Sequence, residues 1–371
     1  MKLEIVRQNS ANIYLFHQVC DRIYQGDPVY IKPIQSDVEA IFDPTKNNSF
    51  KKGDAVRFLL LGEDNRTPVG RIAAFYQDKA GKRRGAWGFF ECENKDEYAQ
   101  ALIKAAEDWL KEKGCSSAQA PVNFGSRDQF WGLWIQGSRR PSYQENYHPA
   151  YYKDFIESAH YELEIEQTTY ELDNETFQME RFKKISERTF GNEAYDFKIL
   201  DFGNIDAFAD DFVRIYNEAW SFHDDFEPLD RVGIQKQFRK MKAAMLPELG
   251  IFAYHKGRPI GFFISILELN ELFKDFDGKL GWWQKILFLL RRKNIRTARG
   301  IVFGIVPDYH NKGIEAGMIM KSYEVLKKIN RFDKVELSWI GDFNPKMISM
   351  LKALGATLSK THYTYLKIFS W

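Results

Sequence analysis

Pro307, His310, Asn311, Lys312 and Gly313 stand between an apolar run, Ile301 to Val306, and small or apolar residues at helical spacing: Ile314, Ala316, Gly317, Ile319, Met320, Tyr323 and Leu326. The run has the length and β-branched content of a buried strand. Pro307 has no N–H to give a sheet ladder, so the strand should end there. A strand, a tight turn at Gly313 and a helix N-terminus make an anion site. Unpaired backbone N–H groups and the positive end of the helix dipole point at one place. The ligand this chemistry favours is a phosphate or pyrophosphate.

A second group is chemically different. Gly278 to Gly300 holds seven Lys/Arg and no acidic residue. Its apolar part, Leu280 to Leu290, is too short to span a bilayer. As a helix it would put Trp282, Trp283, Ile286, Leu287 and Leu290 on one face, widened by Phe288 and Leu289. Aromatic and aliphatic side chains followed by a basic cluster suit a helix lying on an anionic membrane surface. Packing against the protein's own core and a dimer contact are the competing readings. Nucleic acid ranks lowest, because the basic residues form one cluster in a chain of net charge +2.

The elements that must position these groups can be read in order. A chain of 371 residues predicts two domains of ordinary size. With 44% hydrophobic and 28% charged residues it is globular in composition, not disordered. Cys20, Cys92 and Cys115 are too few and too scattered for a disulfide framework or a metal cluster, which predicts no metal and a cytoplasmic location. No apolar run reaches the ~18–20 residues of a membrane-spanning helix. Strands are expected at Leu3–Val6, Val56–Gly62, Pro68–Phe75 and Gly88–Glu91, with a helix from Tyr98 to Lys113 stopped by Gly114. A helix at Tyr151–Ser158 and a strand ending in Thr169–Leu172 complete the first half. The second half repeats this order: a helix Ile205–Trp220, strands Gly250–Tyr254 and Pro259–Leu267, then the opening strand, turn and helix. A strand Val335–Trp339, a helix Pro345–Ala353 and a strand Tyr363–Phe369 follow. Pro68-Val-Gly-Arg-Ile-Ala-Ala-Phe75 also echoes Pro259-Ile-Gly-Phe-Phe-Ile-Ser-Ile266 in letters. The order predicts a duplicated α/β unit with a connecting helix, Phe177–Arg188.

Most of residues 196–371 resemble the GNAT acyltransferase superfamily. Its strand-Pro step and Arg/Gln-x-x-Gly-x-Gly/Ala helix opening stand here as Ile305-Val-Pro-Asp-Tyr-His310-Asn-Lys-Gly313-Ile-Glu315-Ala316, with His310 in the Arg/Gln position and Glu315 in place of the small residue. A later motif, an Asn opening a helix, stands as Asn344-Pro-Lys-Met-Ile-Ser-Met-Leu-Lys-Ala-Leu-Gly355. Leu351 occupies the position where many members carry a general-acid Tyr. Residues 1–172 resemble the same fold without its cofactor loop, since Gly88 to Tyr98 offers four carboxylates and no further glycine. Both halves together are similar to a bacterial group of tandem acyltransferase-like proteins, some associated with ceramide synthesis. Gly88–Asn94, Ala120–Asn123, Tyr147–Tyr152, Asn217–Trp220 and Leu269–Glu271 carry that likeness.

The resemblance implies a mixed α/β (α+β) sheet in two tandem GNAT-like domains. These are a degenerate one at 1–172, a connecting helix at 173–195 and an acyltransferase domain at 196–371 with the basic-aromatic insertion at 272–299. It implies direct N-acyl transfer to an amine, a long-chain sphingoid-type amine among them, from acetyl-CoA or a longer acyl-CoA. The cofactor would meet Phe303, Ile305, Val306, His310, Asn311, Lys312, Gly313, Ile314, Ala316 and Asn344. Glu268, Glu271, Glu218 and His223 are the expected acid–base residues, with Asn217, Trp220, Asn270, Trp282 and Trp283 on the acceptor side. A tunnel lined by Trp282, Trp283 and Phe288 would mark a lipid acceptor. The location expected is cytoplasmic, peripheral to the inner membrane. The alternatives are a non-catalytic acyl-CoA- or lipid-binding protein of the same fold and an acetyltransferase for a small amine or a protein.

Overall fold

The structure, a computed structural model, describes residues 1–371 except 80, 174–176, 223–225 and 371. The first half runs β1 (Lys2–Ile5), α1 (Asn12–Ile23), α2 (Gln35–Ile41), β2 (Gly53–Leu61), β3 (Pro68–Lys79), β4 (Lys82–Cys92) and α3 (Asp96–Glu112). It continues through β5 (Ser117–Ala120), β6 (Leu133–Gly137), α4 (Tyr152–Ser158) and β7 (Glu162–Asp173). After the connecting helix α5 (Met179–Phe190) come β8 (Tyr195–Ile199), α6 (Ile205–Trp220), α7 (Arg231–Met241), β9 (Gly250–His255) and β10 (Arg258–Leu267). Two helices of the insertion, α8 (Asn270–Phe273) and α9 (Trp282–Arg291), precede β11 (Thr297–Ile305) and α10 (Ile314–Ile329). The chain closes with β12 (Lys334–Gly341), α11 (Pro345–Ala353) and β13 (Thr357–Ile368).

These strands form one sheet in the order β1-β2-β3-β4-β5-β13-β7-β12-β11-β10-β9-β8, with β6 also on β13. The order is symmetric about the β13–β7 pair. Each half contributes five strands in sequence, and its closing strand crosses to the other half: β13 lies against β5, and β7 against β12. The duplication read from the sequence is therefore present with its last strands exchanged. Helix α3 shows how one layer is held. Asp96 and Glu97 in its first turn oppose the dipole, while Leu102, Ile103, Ala106 and Leu110 face the sheet. On the second half, Phe208 and Phe212 of α6 pack on Phe252 and Phe262 of β9 and β10. Helix α10 covers the opposite face, with α5 alongside it.

The strands that matter for function are β11 and β12. They pair in parallel only from Thr297–Lys334 to Gly300–Leu337 and then separate. At that point the β10–β11 register slips, leaving Ile301 as an extra residue, and the β12–β7 register slips between Leu337 and Ile340. A bulge adds local twist, and two bulges at one level turn the strands apart.

Candidate active site

The opening between β11 and β12 leaves backbone groups without a ladder partner. Val306 N–H donates to the Ile260 carbonyl, 2.9 Å away on the β10 side. Alternation along the strand then turns the N–H and C=O of Phe303 and Ile305 the other way, into the opening. Below them lies a cavity of about 650 Å³. Ile301, Phe303, Leu337, Ile340, Tyr323 and Leu351 belong to its largely apolar wall, and it runs under α10 as far as Asn330 to Lys334.

Above the opening stands the start of α10. Gly313, at φ +83°, and Asn311, at φ +62°, both adopt the left-handed conformation. That conformation favours Gly and is tolerated by Asn. The N–H groups of Asn311 through Ala316 have no backbone acceptor among the described residues. They are the donors an anion at this helix start would use. Glu315 in the first turn supplies a competing negative charge. His310 bends back, its Nε2 3.0 Å from the Ile305 carbonyl, so the ring donates from that nitrogen. It occupies a carbonyl that would otherwise face the opening.

The first half repeats the strand pair but not the opening. β4 and β5 pair at Gly85–Ala118 and Ala86–Gln119, and Val122 N–H then reaches the Trp87 carbonyl at 2.9 Å. A side chain at Gly88 would overlap the Val122 carbonyl. The strands stay together, and the carboxylate of Glu91 beyond them is buried against the Tyr24 and Tyr152 hydroxyls.

No protein-family model matches the chain. It is 24% identical over 371 residues to the bacterial ceramide synthase of Caulobacter vibrioides, covering 96% of this chain and 95% of that one. Protein YghO of Escherichia coli K12 is 25% identical over 313 residues, 81% of this chain and 79% of its own. Among solved structures, the tandem GNAT protein from the clavulanic acid biosynthesis pathway superposes with a TM-score of 0.58 at 11% identity, covering 99% and 98% of the two chains. The chain has the tandem GNAT fold. A GCN5-related glucosamine N-acetyltransferase region of a fungal GH3 beta-N-acetylglucosaminidase also superposes, with a TM-score of 0.60 at 10% identity. That match covers 99% of this chain and 38% of the longer one.

Within this GNAT fold the residues expected from sequence separate into groups. Phe303, Asn344 and Trp220 line the cavity. Asn344 caps α11 through Oδ1, which accepts from Met347 N–H at 3.2 Å. Trp220 stacks on Tyr216 at 4.4 Å and lies against Gly304, where a Cβ would come within 2.7 Å of its ring. Ile305, Val306, Ile314 and Ala316 are buried, and Lys312 extends over the Tyr309 ring. Asn217 holds the chain after α6, its Oδ1 accepting from Leu229 N–H. Trp282 and Trp283 are exposed and Phe288 packs inward on Phe273, so none of the three lines the cavity.

The expected acid–base residues are not brought together. Glu218 pairs with Arg258 at 2.5 Å, at the first residue of β10. Glu268 and Glu271 lie past its last residue, about 30 Å away at the usual rise of a strand. Glu271 caps the start of β11, accepting from the N–H groups of Arg296 and Thr297. His223 lies outside the described residues.

Glu268 belongs to a buried charge cluster. Lys360 Nζ donates to Ser142 Oγ at 2.6 Å, Glu336 Oε2 at 2.6 Å and Glu145 Oε2 at 2.8 Å. Arg299 donates to the Tyr143 carbonyl and Ser338 Oγ, 3.5 Å from Glu336. Glu268 Oε1 accepts from the N–H groups of Tyr143 and Asn270, while Oε2 has no partner. Two cations already balance Glu145 and Glu336, so a third carboxylate is in excess. Burial first, with Glu336 adding to it against Arg299 and Lys360, pushes Glu268 up to about 7. Burial opposes ionisation of Glu145 too, but Lys360, His362 and Arg299 hold it well below the usual carboxylate range. Asn270 Nδ2 donates to the Pro141 carbonyl at 3.0 Å, beside the same cluster. Among the described residues no group of three or more His, Cys, Asp or Glu side chains converges as a metal site.

Asp128 is a residue that sequence reasoning missed. It is exposed to solvent, and the protein around it raises its carboxyl's pKa while a backbone hydrogen bond and Arg299 pull it down. Two observations bring its loop near the cavity. Trp339, in the cavity wall, donates Nε1–H to the Arg127 carbonyl at 2.9 Å. Tyr216, stacked on Trp220, is near enough for the Asp128 charge to raise its hydroxyl's pKa after burial has done so. No local motif around Asp128 marks it; only the fold brings this first-half loop to the second-half opening.

Proposed function

We propose that the chain is an acyl-CoA-dependent N-acyltransferase that transfers an acyl group directly to a long-chain, sphingoid-type amine. The observation that carries this reading is the opening between β11 and β12. There the N–H and C=O of Phe303 and the N–H of Ile305, left without a ladder partner, lie beside an apolar cavity and below six N–H groups with no backbone acceptor at the start of α10. Those N–H groups and Lys312 would receive the pyrophosphate, and the strand edge the pantetheine, with the Phe303 and Ile305 N–H groups near the thioester carbonyl. The amine must be neutral to attack, and it loses a proton as the C–N bond forms and the C–S bond breaks. Asp128 is the carboxylate we assign to receive that proton. Glu268, bonded into its cluster, holds its own. The likeness to the Caulobacter ceramide synthase and the apolar cavity support a lipid acceptor, and a cytoplasmic protein at a membrane surface would have access to one. Two tandem units, 1–172 and 196–371, joined by 173–195 would then divide the work. The second binds the donor, and the first adds the loop with Asp128.

Titration calorimetry with CoA and palmitoyl-CoA tests this, with binding of both expected; a folded preparation that binds neither ends the proposal. Leu351 favours a second reading, a non-catalytic acyl-CoA- or lipid-binding protein, because this wall position is apolar and supplies no acid for the thiolate. Turnover measured over amines of graded chain length separates the two. Turnover of short amines alone, with acetyl-CoA preferred, would instead indicate an acetyltransferase for a small amine or a protein.

A further inference from the structure

Helix α9 turns its apolar face outward. Trp282 is 74% exposed, Trp283 59% and Leu290 66%, with Leu289 and Ile286 beside them. At about 100° per residue these five side chains cover roughly 120° of the helix circumference. The inward face is held by Phe288, packed on Phe273, and by Leu287. An ordinary surface helix has the opposite arrangement, apolar inside and polar outside. A contiguous exposed apolar patch of this kind marks an interaction surface.

The surrounding charge identifies the partner. Lys285, Arg291 and Lys293 are exposed and carry no ion pair among the described residues. The other basic groups are engaged. Arg292 donates to the Ala243 carbonyl, Arg296 pairs with Asp333 at 2.8 Å, and Arg299 is buried. Asp277, on the preceding turn, is shared between Lys32 and Lys279, each at 3.7 Å. Outward Trp and Leu bordered by free cations fit the interface of an anionic bilayer, where the rings enter the headgroup layer and the cations meet lipid phosphates. A protein partner of matching shape would need only the apolar patch.

The position of α9 relative to the cavity adds a second observation. Arg331 donates from Nε to the Ile295 carbonyl at 3.1 Å and also reaches the Arg292 carbonyl, joining the end of α9 to the turn at 330–333. Asn330, Phe332 and Asp333 of that turn form the lower end of the cavity.

We propose that α9 docks the protein on the surface of an anionic lipid bilayer, with the lower end of the acyl cavity held next to that surface. The docking stands on the helix and its charges. Its use, to pass long-chain substrate between bilayer and cavity, rests on the acyltransferase reading.

Flotation with vesicles tests it, using phosphatidylglycerol–phosphatidylcholine mixtures against phosphatidylcholine alone at low and high salt. The full-length protein should float with the anionic vesicles at least tenfold better than with the neutral ones, and high salt should reduce this. Replacing Trp282, Trp283, Leu289 and Leu290 with Ser should lower binding at least tenfold with an unchanged melting temperature, since all four are solvent-facing. Arg291→Gln with Lys293→Gln should remove most of the preference for anionic lipid. Absence of flotation, equal binding to neutral vesicles, or undiminished binding by the quadruple variant overturns the proposal. So does a dimer in gel filtration that the same four substitutions dissolve. Loss of CoA binding with flotation intact would refute the acyltransferase reading and leave the docking in place.

Discussion

Asp128 and Glu268 both hold their protons more tightly than an ordinary carboxylate, and their surroundings give them different work. Asp128 is open to solvent on the loop whose Arg127 carbonyl is bound by Trp339 of the cavity wall, and we assign it the proton of the attacking amine. Asp128→Asn should lower kcat by 10²- to 10⁴-fold while leaving acyl-CoA binding unchanged, as measured by steady-state rates beside calorimetry. The acid limb of the wild-type rate should lie above the ordinary Asp value of about 3.9. Glu268 is sealed in, so its proton affects stability instead. An unfolded Glu titrates near 4.5, whereas in the fold Glu268 keeps its proton to about 7. Between these values the folded state binds more protons, so stability falls as pH rises, by on the order of 3 kcal/mol over the window. Glu268→Gln is neutral at every pH. It should be more stable than wild type near pH 8 and lose most of this slope, which urea midpoints across the window will show.

At the scale of elements, the cavity under α10 is bounded by faces of α10 and α11 and by the separated strands, so a single wall residue can shorten it. Leu326→Trp should fill the lower part. It should leave acetyl-CoA binding within a factor of two and weaken palmitoyl-CoA by tenfold or more, about 1.4 kcal/mol. Competition binding over acyl chains of increasing length would read this directly. What was legible in the sequence follows the same division. The strand-turn-helix around Gly313 is local, so residue types announce it, and the helix from Pro345 is capped by its own neighbour Asn344. The periodicity of 282–290 predicts a helix, but not which face turns outward, because Phe273 decides that from another element. The bulges at Ile301 and at Ser338–Trp339 leave no local sign; they are defined by the strands they fail to match. Asp128 could not be found from its neighbours, since Tyr216 and Trp339 are remote in sequence.

Over the whole molecule the exchange of β7 and β13 binds the halves into one sheet. The element order made the duplication legible, but not the exchange. Both closing strands sit at equivalent places in the repeat, and nothing in their letters says whose sheet they join. The full chain should therefore unfold in a single calorimetric transition, and residues 1–172 expressed alone should lack native-like amide protection in β5 and β7. Two separate transitions would show that the halves are independent.

The exchange also sets an order of events during synthesis. β5 (Ser117–Ala120) is made more than 230 residues before its neighbour β13 (Thr357–Ile368). The first half must then wait with an open strand edge until β13 has been made, exposed to pairing with other chains for that interval. Deleting Thr357–Ile368 takes one strand of the second half, yet its damage should appear in the sheet of the amino-terminal half.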